Sequence, residues 1–430
     1  MARDNQTGQR MHTTEKFLKN CPGLAGEIAR LIYDRLEFHQ PGLALGAALS
    51  FVGALKSGRE TSHFGINPNI YSCSIALTST GKSQCQSVIE EICSECKLDH
   101  LLMGQPASDV GLLHALSEEP RKLLIWDEFG IALRSIGAAK ASYETRILAT
   151  IMDLYSAGKR KYRGKEYARS AQEKRIDIDK PMLSLFAAST PARFFDSLSS
   201  DFVEDGFLPR ILLFLGEEKT VGKESYYTKI SNRIICEVID LETGDMEEAA
   251  GDVGRYLRVK NSVVEFDGEA LEFALILKET AKIFSEENEK SNPILSAYYR
   301  RMFENTVKVA IILSEKGVVS ESSFRYAEAL VRYLTESAAN VCFERLFDNQ
   351  EEKSSNKARE KILSRIEKYL NVGEVVVWSE FSKQANFHKI KPNKLRDQTI
   401  DELVEEGIIK IDDRYTDGAI KSAKHITRIK

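Results

Sequence analysis

The sequence predicts an α/β fold with a parallel sheet, and two observations lead to this prediction. Between residues 66 and 218, strand-like apolar runs alternate with helix-like stretches, the order typical of parallel sheets whose strands are joined by helices. One run leads into Gly81-Lys82-Ser83 and then directly into a helix-like stretch, the context in which a loop binds phosphate. The predicted strands are residues 70–77, 101–104, 122–127, 182–188 and 211–216.

The first segment, residues 1–65, is predicted to be a helical lead-in. Leu24 and Ile28 recur at helical spacing, and Pro41-Gly42 separates this helix from a second one. The apolar stretch 43–55 is 13 residues long, shorter than the roughly 17 needed to span a bilayer, so we expect a buried helix. Because the N-terminus also lacks an apolar signal region, we expect a cytoplasmic protein with no membrane partner.

The loop before the second predicted helix fits the pattern Gly-x-x-x-x-Gly-Lys-Ser/Thr except at its first position, where Ala76 replaces glycine. Alanine fits there if its φ is negative. In such a loop the backbone amides surround phosphates, the lysine reaches the β and γ oxygens and the hydroxyl holds Mg²⁺, so we expect ATP and Mg²⁺ as cofactors. The predicted nucleotide-binding residues are Thr78, Ser79, Thr80, Gly81, Lys82 and Ser83.

A second motif lies 45 residues beyond Lys82, where the strand-like run 122–127 ends in Asp127 and Glu128. This is the Walker B arrangement of a buried strand followed by carboxylates. We expect Asp127 to reach the Mg²⁺ held by Ser83 and Glu128 to polarise the attacking water. The alternative is a strand followed by an exposed acidic turn, which we consider less favoured because the phosphate loop precedes it.

Three further polar positions complete the predicted catalytic site. The run 182–188 ends in Ser189 and Thr190, and one of these hydroxyls is expected to sense the γ-phosphate, with Thr190 as our choice. Arg210, just before the last predicted strand, is a candidate arginine finger for a neighbouring subunit, although it would also suit a surface ion pair. Arg301, in a predicted lid helix, is a candidate second arginine sensor, and the adjacent Arg300 is its alternative.

A basic segment lies between the second motif and the 182–188 strand. Residues 159–175 carry eight basic and two acidic side chains, a local charge of +6, whereas the whole chain has a net charge of −4. Such a patch predicts contact with nucleic acid, with Tyr162 and Tyr167 stacking on bases and Gly164 at a hairpin tip. A solvated loop is the alternative. The predicted DNA-binding residues here are Lys159, Arg160, Lys161, Arg163 and Lys165.

The rest of the chain predicts two more segments. Residues 219–350, rich in Glu, Lys, Ala and Leu, are expected to form an all-helical lid, followed by a polar linker at 351–357. The order of elements in 356–430 predicts a winged helix whose third helix starts near Lys391 and Lys394. Acidic residues occupy the other end of that helix, so a protein-docking or structural role is an alternative to DNA binding.

The seven cysteines are odd in number and irregularly spaced, which indicates reduced thiols rather than a disulfide framework. Cys93 and Cys96, with Cys85 and His100, are a conceivable zinc set. No second cysteine pair follows at zinc spacing, so packing of the helix that carries them is the favoured explanation.

These motifs together resemble the helicase modules of phage and mobile-element replication proteins, which are AAA+ ATPases related to the MCM and superfamily 3 helicases. The resemblance covers roughly residues 40–340. It implies a hexameric ring, single-stranded DNA in the ring channel, a DNA-binding hairpin at about 158–169 and Arg210 as a finger acting on the next subunit. It also implies a separate primase or initiator as partner, with duplex DNA contacted by the winged helix. The motifs that carry it are residues 76–83, 106–116, 123–130, 188–191 and 205–210.

The sequence therefore predicts an ATP-dependent DNA helicase or translocase, an ATPase acting in replication of a phage or mobile genetic element. The alternative is an ATP-switched DNA-binding initiator or regulator without unwinding activity. A third hypothesis is a nucleotide-driven remodeller of protein complexes, for which ATP hydrolysis independent of DNA would be the sign.

Overall fold

The computed structural model describes residues 13–138, 143–164, 175–198, 206–216, 221–244, 246–248, 257–259, 262–387, 393–414 and 423–429. The chain divides into two compact units, Met1–Arg345 and Leu346–Lys430.

The first unit combines short strands with helices of very different lengths. Its strands are β1 (Glu60–Ser62), β2 (Tyr71–Ile75), β3 (Leu102–Met103), β4 (Arg121–Trp126), β5 (Tyr162–Arg163), β6 (Asp177–Ile178), β7 (Met182–Ser189), β8 (Ile211–Leu215), β9 (Met246–Glu248), β10 (Leu257–Val259), β11 (Ser262–Phe266) and β12 (Val318–Val319). Its helices are α1 (Gly23–Arg35), α2 (Pro41–Lys56), α3 (Lys82–Glu95), α4 (Asp109–Glu118), α5 (Phe129–Ala138), α6 (Tyr143–Leu154), α7 (Pro191–Phe195), α8 (Asn232–Thr243), α9 (Gly268–Asn288), α10 (Pro293–Ile312) and the first part of α11 (Glu321–Tyr369).

A five-stranded sheet organises this unit, in the order β3-β4-β7-β2-β8 with every neighbouring pair parallel. The predicted α/β class and parallel sheet are confirmed, and all five predicted strands are present with shifted ends. Strand β7 is buried along its whole length, which explains why it is a continuous apolar run rather than an alternating one. Because all the strands are parallel, the segments that follow them emerge at one edge of the sheet.

Helix α2 packs against this sheet, and every one of its residues is buried. It contains the apolar stretch 43–55, and small residues let it approach the sheet closely. A Cβ on Gly46 would lie 2.9 Å from a ring carbon of Phe214 in β8. The prediction of a buried helix is correct, and among the described helices none is long and apolar enough to cross a membrane.

The expectation of an all-helical segment at 219–350 is wrong, because strands β9 to β12 lie within it. Strand β11 pairs in parallel with both β12 and β1, so the lead-in also contains a strand that was not predicted. The reason is physical: Ser262–Phe266 carries two β-branched valines, but its pairing partner β1 lies some 200 residues earlier, as Ser62 opposite Val264 shows. Local helical composition does not reveal such long-range pairing.

The predicted linker at 351–357 is also corrected, since these residues belong to the continuous helix α11, Glu321–Tyr369. The stretch is polar but contains neither proline nor glycine, and glutamate and lysine are good helix formers. Low apolar content alone therefore does not end a helix.

The second unit contains the end of α11, then β13 (Val375–Val377), α12 (Trp378–Gln384), α13 (Asn393–Glu405), β14 (Ile409–Arg414) and β15 (Ala423–Arg428). Its antiparallel sheet has the order β13-β15-β14. The elements follow the predicted order, and their assignment as a winged helix stays a prediction. Lys391 lies outside the described residues, and only the backbone of Lys394 is described. The core is built from Ile366, Phe381, Phe387, Leu403 and Ile426 together with their neighbours.

Candidate nucleotide site

The phosphate loop connects the end of β2 at Ile75 to the start of α3 at Lys82. Two of its residues take left-handed backbone conformations, Ser79 with φ of 61° and Gly81 with φ of 104°. A Cβ on Gly81 would also lie 2.7 Å from Cδ2 of Leu36, so both conformation and space require glycine there. This tight turn at a helix N-terminus is the backbone form that binds phosphate.

The side chains of the loop divide into buried and exposed groups. The Lys82 ammonium donates to the carbonyl oxygens of Ala76 at 3.0 Å and Leu77 at 2.8 Å, which keeps it folded over the loop. Thr80 is buried, and its hydroxyl donates to the Leu77 carbonyl at 2.7 Å, so it stabilises the turn. Thr78, Ser79 and Ser83 are exposed at the mouth of the loop, where a ligand can reach their hydroxyls.

Ala76, the departure from the usual pattern, is accommodated without strain. It does not take a positive φ, and its N–H donates to the Ser189 carbonyl at 3.1 Å. The Ala76 methyl group is buried next to Gly216, at the end of the neighbouring strand. A Cβ added to Gly216 would lie only 2.7 Å from the Cβ of Ala76. Alanine therefore fits at this position, because its φ is not positive.

A cleft opens beside the loop, and Glu37 and Phe38 form its other wall. These residues follow α1, so the lead-in contributes directly to the site. Sequence reasoning missed both, because no local pattern marks them and only the folded chain brings them to the loop. The cleft places an aromatic ring and a carboxylate next to the phosphate loop, the combination of apolar and polar surface that ligand sites use. The loop residues that line the cleft are Ser79, Gly81, Lys82, Ser83 and Gln84.

Asp127 and Glu128 follow β4 and are exposed at the same sheet edge as the loop, with β7 between β4 and β2. Burial lowers the pKa of Lys82, and the nearby charges of Asp127 and Glu128 oppose that shift. One Asp127 oxygen accepts the Glu128 N–H at 2.8 Å, and Glu128 itself has a positive φ of 52°. Such strained backbone is concentrated at functional sites. The structure thus brings the lysine and both carboxylates together.

Arg193, in α7, forms an ion pair with Glu128, with 2.8 Å between Nη1 and Oε2. Both side chains are about half exposed, at 48% and 58%. Sequence reasoning missed Arg193, since an ion pair between two residues 65 positions apart leaves no sequence pattern. In this arrangement the Glu128 carboxylate is paired with an arginine while it remains exposed to water.

Ser189 and Thr190 end the strand between these motifs, and their environments differ. Ser189 is buried, its hydroxyl accepts the Gly130 N–H at 3.2 Å and donates to the Thr190 carbonyl at 3.3 Å, so it fixes the backbone after β4. Thr190 is half-buried at the N-terminus of α7, and its side chain makes no capping hydrogen bond. Of the two hydroxyls, that of Thr190 is the one placed to meet a ligand.

The loop and the carboxylates offer a fitting site for a nucleotide with Mg²⁺. Mg²⁺ in nucleotide sites takes one or two protein oxygens and completes its shell with phosphate and water. The Ser83 hydroxyl and the Asp127 carboxylate supply that kind of donor at this edge. Among the described residues no group of three or more His, Cys, Asp or Glu is arranged to hold a metal. Burial raises the pKa of the Cys85 and Cys93 thiols to about 12, so both are protonated thiols in this structure.

Arg210 and Arg301 lie together, away from the loop of their own chain. Arg210 precedes β8 and is level with residue 70, whereas the loop starts beyond the opposite end of β2, about 20 Å along the strand direction. Burial lowers the pKa of Arg210, and the nearby charge of Arg301 adds to this shift. Arg301 also pairs with Glu304 at 2.7 Å. Arg300 instead points to Glu289 at 2.9 Å and is exposed.

The basic segment begins and ends in a pair of antiparallel strands, β5 and β6, with Tyr162 opposite Ile178 and Arg163 opposite Asp177. Gly164 lies beside this strand pair, where its N–H donates to Asp177 at 3.3 Å, and so does not form the predicted tight tip. Lys165 and Tyr167 lie outside the described residues. Four exposed cations form no ion pair within the described part of the chain, and these are Lys159, Arg160, Lys161 and Arg163.

The sequence matches no protein-family model and no curated protein. Among solved structures, the chain is similar to a full-length MCM homolog from Methanopyrus kandleri, with 15% identity, a TM-score of 0.38 and coverage of 75% of this chain. The chain spans 61% of the length of that protein. It is also similar to the Aeropyrum pernix ORC1 protein in complex with DNA, with 12% identity, a TM-score of 0.22 and coverage of 90% of this chain and 88% of that one. Neither score is high enough to establish a common fold.

Proposed function

We propose that this protein is an ATP-dependent DNA helicase or translocase of the AAA+ class that works as a ring oligomer, a hexamer, in replication of a phage or mobile genetic element. One observation supports this proposal most strongly. Lys82, Asp127 and Glu128 lie at one sheet edge, and the same unit carries the strand pair β5 and β6, where four exposed cations form no ion pair with any residue that the structure describes. A site for hydrolysis and a surface for a polyanion therefore belong to the same compact unit.

ATP is the proposed substrate, and we assign each site residue a role that its position supports. The amides of the 78–83 loop and the Lys82 ammonium would bind phosphates, and Ser83 and Asp127 would hold Mg²⁺, which would supply positive charge next to the transferring phosphoryl group. Glu128, once released from Arg193, orients and polarises the attacking water. Thr190 contacts the γ-phosphate from the adjacent strand end.

The location of Arg210 and Arg301 supports the proposal of a ring. Both arginines lie far from the loop of their own chain, so the phosphates they stabilise belong to a neighbouring subunit. A head-to-tail contact of this kind closes into a ring when its rotation closes. Each active site is then shared between two copies of the chain.

Single-stranded DNA is the proposed track, held by the hairpin. Each phosphate neutralised by a lysine or arginine releases condensed counterions, so binding depends steeply on salt. Tyr162 supplies a ring for stacking on a base. A separate primase or initiator would provide the remaining replication functions, and duplex DNA would contact the second unit through Lys391 and Lys394.

The first test is ATP hydrolysis with and without single-stranded DNA, comparing the wild type with a variant in which Lys159, Arg160, Lys161 and Arg163 are all changed to Ala. We expect DNA to stimulate the wild type and not the variant. For single strands, the slope of log affinity against log salt should become shallower by about 3 in the variant. A matched control removes four exposed lysines elsewhere and keeps the stimulation, namely Lys229, Lys278, Lys282 and Lys290. Hydrolysis that ignores DNA in all three proteins contradicts the proposal.

The initiator alternative has one observation in its favour, the separate unit Leu346–Lys430 with its antiparallel sheet and helices. Strand separation distinguishes the two functions. A forked duplex labelled on one strand is unwound by a helicase in the presence of ATP. Tight binding to one duplex sequence without release of the labelled strand would establish the initiator instead.

A further inference from the structure

Tyr155 lies between the basic hairpin and Arg210, and the proposed function gives it neither a DNA-binding nor a catalytic role. It follows the last residue of α6 and is buried, with 2% of its surface exposed. Four residues later the chain reaches Lys159, the first cation of the hairpin. Gly158 is buried against β7, where a Cβ would lie 2.4 Å from Sδ of Met182, so this part of the chain packs closely on the sheet.

The phenol ring and backbone of Tyr155 are fixed by three neighbours. Its carbonyl accepts from Nδ2 of Asn69 at 3.1 Å. The Lys308 ammonium lies 3.7 Å from the centroid of its ring, and the ring packs edge-on against Tyr71 with centroids 5.0 Å apart. The Arg210 guanidinium faces the same ring at 6.0 Å.

The hydroxyl of Tyr155 extends this arrangement to the arginine finger. It donates to Oδ1 of Asn305 in α10 at 2.5 Å. The amide nitrogen of Asn305 in turn donates to the carbonyl of Pro209 at 3.2 Å, and Pro209 directly precedes Arg210. All of these groups are buried, so each hydrogen bond is costly to leave unmade.

We propose that Tyr155 is a positioning residue that couples the DNA-binding hairpin to Arg210 through Asn305. This inference rests on the proposed function and adds the route by which DNA bound by one subunit affects hydrolysis in the site it shares with its neighbour. When DNA displaces the base of the hairpin, Tyr155 moves with it, and its hydroxyl carries Asn305, Pro209 and the Arg210 backbone. Coupling of this kind requires a packed element with two discrete arrangements, and we assign that role to the buried path from Tyr155 through Asn305 to Pro209.

The test is Tyr155→Phe, which removes the hydroxyl and keeps the ring on Lys308. Its matched control is Tyr71→Phe, since Tyr71 is equally buried and its hydroxyl donates to the Ile151 carbonyl at 2.7 Å, outside the route to Pro209. For each protein we would measure the affinity for single-stranded DNA and the ratio of DNA-stimulated to basal ATP turnover. We expect both variants to bind DNA like the wild type. Only Tyr155→Phe should lose stimulation, by at least about fivefold, the lower range of coupling between sites.

Equal loss in both variants, or no loss in Tyr155→Phe, would overturn the coupling while leaving the helicase proposal intact. If DNA does not stimulate even the wild type, the proposed function fails, and amide hydrogen exchange of residues 157–164 then decides the physical link. Exchange that slows on ATP binding in the wild type and in Tyr71→Phe, but not in Tyr155→Phe, supports the connection. Identical exchange in all three proteins refutes it.

Discussion

At the scale of single residues, the site combines positions that sequence motifs reveal with positions that only folding creates. The 76–83 loop and the Asp127-Glu128 pair were predictable because each is contiguous and its spacing reflects the geometry of phosphate binding. Phe38 and Arg193 were not, since they enter the site from other segments and nothing in their own neighbourhood marks them. Tyr155 belongs to the same class, being defined by contacts with residues up to 153 positions away.

Glu128→Gln should lower ATP hydrolysis by about 10²- to 10⁴-fold, the usual contribution of a general base. ATP affinity should remain, because the amide keeps the size of the carboxylate and the loop is untouched. Steady-state turnover and a fluorescent-nucleotide titration measure the two quantities. Glu118→Gln, at another exposed carboxylate, serves as control. Unchanged turnover would remove Glu128 from the mechanism.

Arg193→Ala should raise basal hydrolysis, because the ion pair with Glu128 must open before the carboxylate can act on water. Exposed pairs contribute up to about 1 kcal/mol, so the increase should not exceed about fivefold. Arg193→Lys keeps the charge and should stay close to the wild-type rate. A fall in turnover for Arg193→Ala would instead indicate that Arg193 contacts the substrate.

Lys308 should make stability depend on pH. Burial lowers its pKa to about 7, while Glu304 opposes the shift and the charges of Arg301, Lys159 and Arg210 add to it. In the unfolded chain the lysine pKa is near 10.4, so between about pH 7 and 10 the unfolded chain binds more protons than the folded chain. The free energy of unfolding therefore increases as pH rises in that window, by up to about 1.4 kcal/mol per pH unit.

Urea unfolding of the wild type and of Lys308→Met at several pH values from 7 to 9 isolates this effect, since titrations shared by both proteins cancel. The difference in unfolding free energy should shift in favour of the wild type as pH increases. A difference that does not change with pH would mean that Lys308 keeps an ordinary pKa in the folded protein.

At the scale of elements, the sequence predicts what local periodicity determines and misses what distant pairing determines. The strands of the parallel sheet and the buried helix α2 were found because their apolar runs are continuous. Strands β1 and β11 were missed because each is short and is stabilised by the other across the length of the chain. The prediction of a linker at 351–357 failed for a local reason. The residues there are good helix formers although few are apolar, so the helix continues through them.

Gly81→Ala tests whether the turn into α3 depends on local backbone form. Alanine at a φ of 104° is strained and its Cβ would meet Leu36 at 2.7 Å, so we expect a loss of about 1–2 kcal/mol or more in stability together with weaker ATP binding. Thermal unfolding and nucleotide titration measure both. Gly104→Ala, whose Cβ would have no atom within 4 Å, should be neutral. Equal behaviour of the two variants would show that the loop tolerates a side chain.

At the scale of the whole molecule, the location of Arg210 at the sheet edge opposite the loop makes the isolated chain an incomplete enzyme in our proposal. The chain alone contains the phosphate loop and the carboxylates, but its Arg210 would act on the nucleotide bound by another copy. Activity should therefore depend on protein concentration until the oligomer is saturated.

Mixing two inactive variants tests this sharing. Lys82→Ala lacks ATP binding but keeps its arginine, and Arg210→Ala keeps ATP binding but lacks the arginine. In an equal mixture that exchanges subunits, about one quarter of the head-to-tail interfaces combine the intact halves, so hydrolysis should return to about that fraction of the wild type. If Arg210 acted on its own loop, or not at all in catalysis, the mixture would show no recovery beyond the sum of the two variants.

The pairing of Ala76 with Gly216 has a consequence for how relatives of this chain can be recognised. The phosphate loop has a methyl group at Ala76, at the end of one strand. The adjacent strand ends at Gly216, whose lack of a side chain leaves room for that methyl group. A search pattern that demands glycine at the first loop position discards such a protein. A pattern that instead asks for one small residue at each of two strand ends, 140 positions apart, would retain it. In an alignment of relatives, the two positions should vary together, and a larger residue at the second should appear only where the first has returned to glycine.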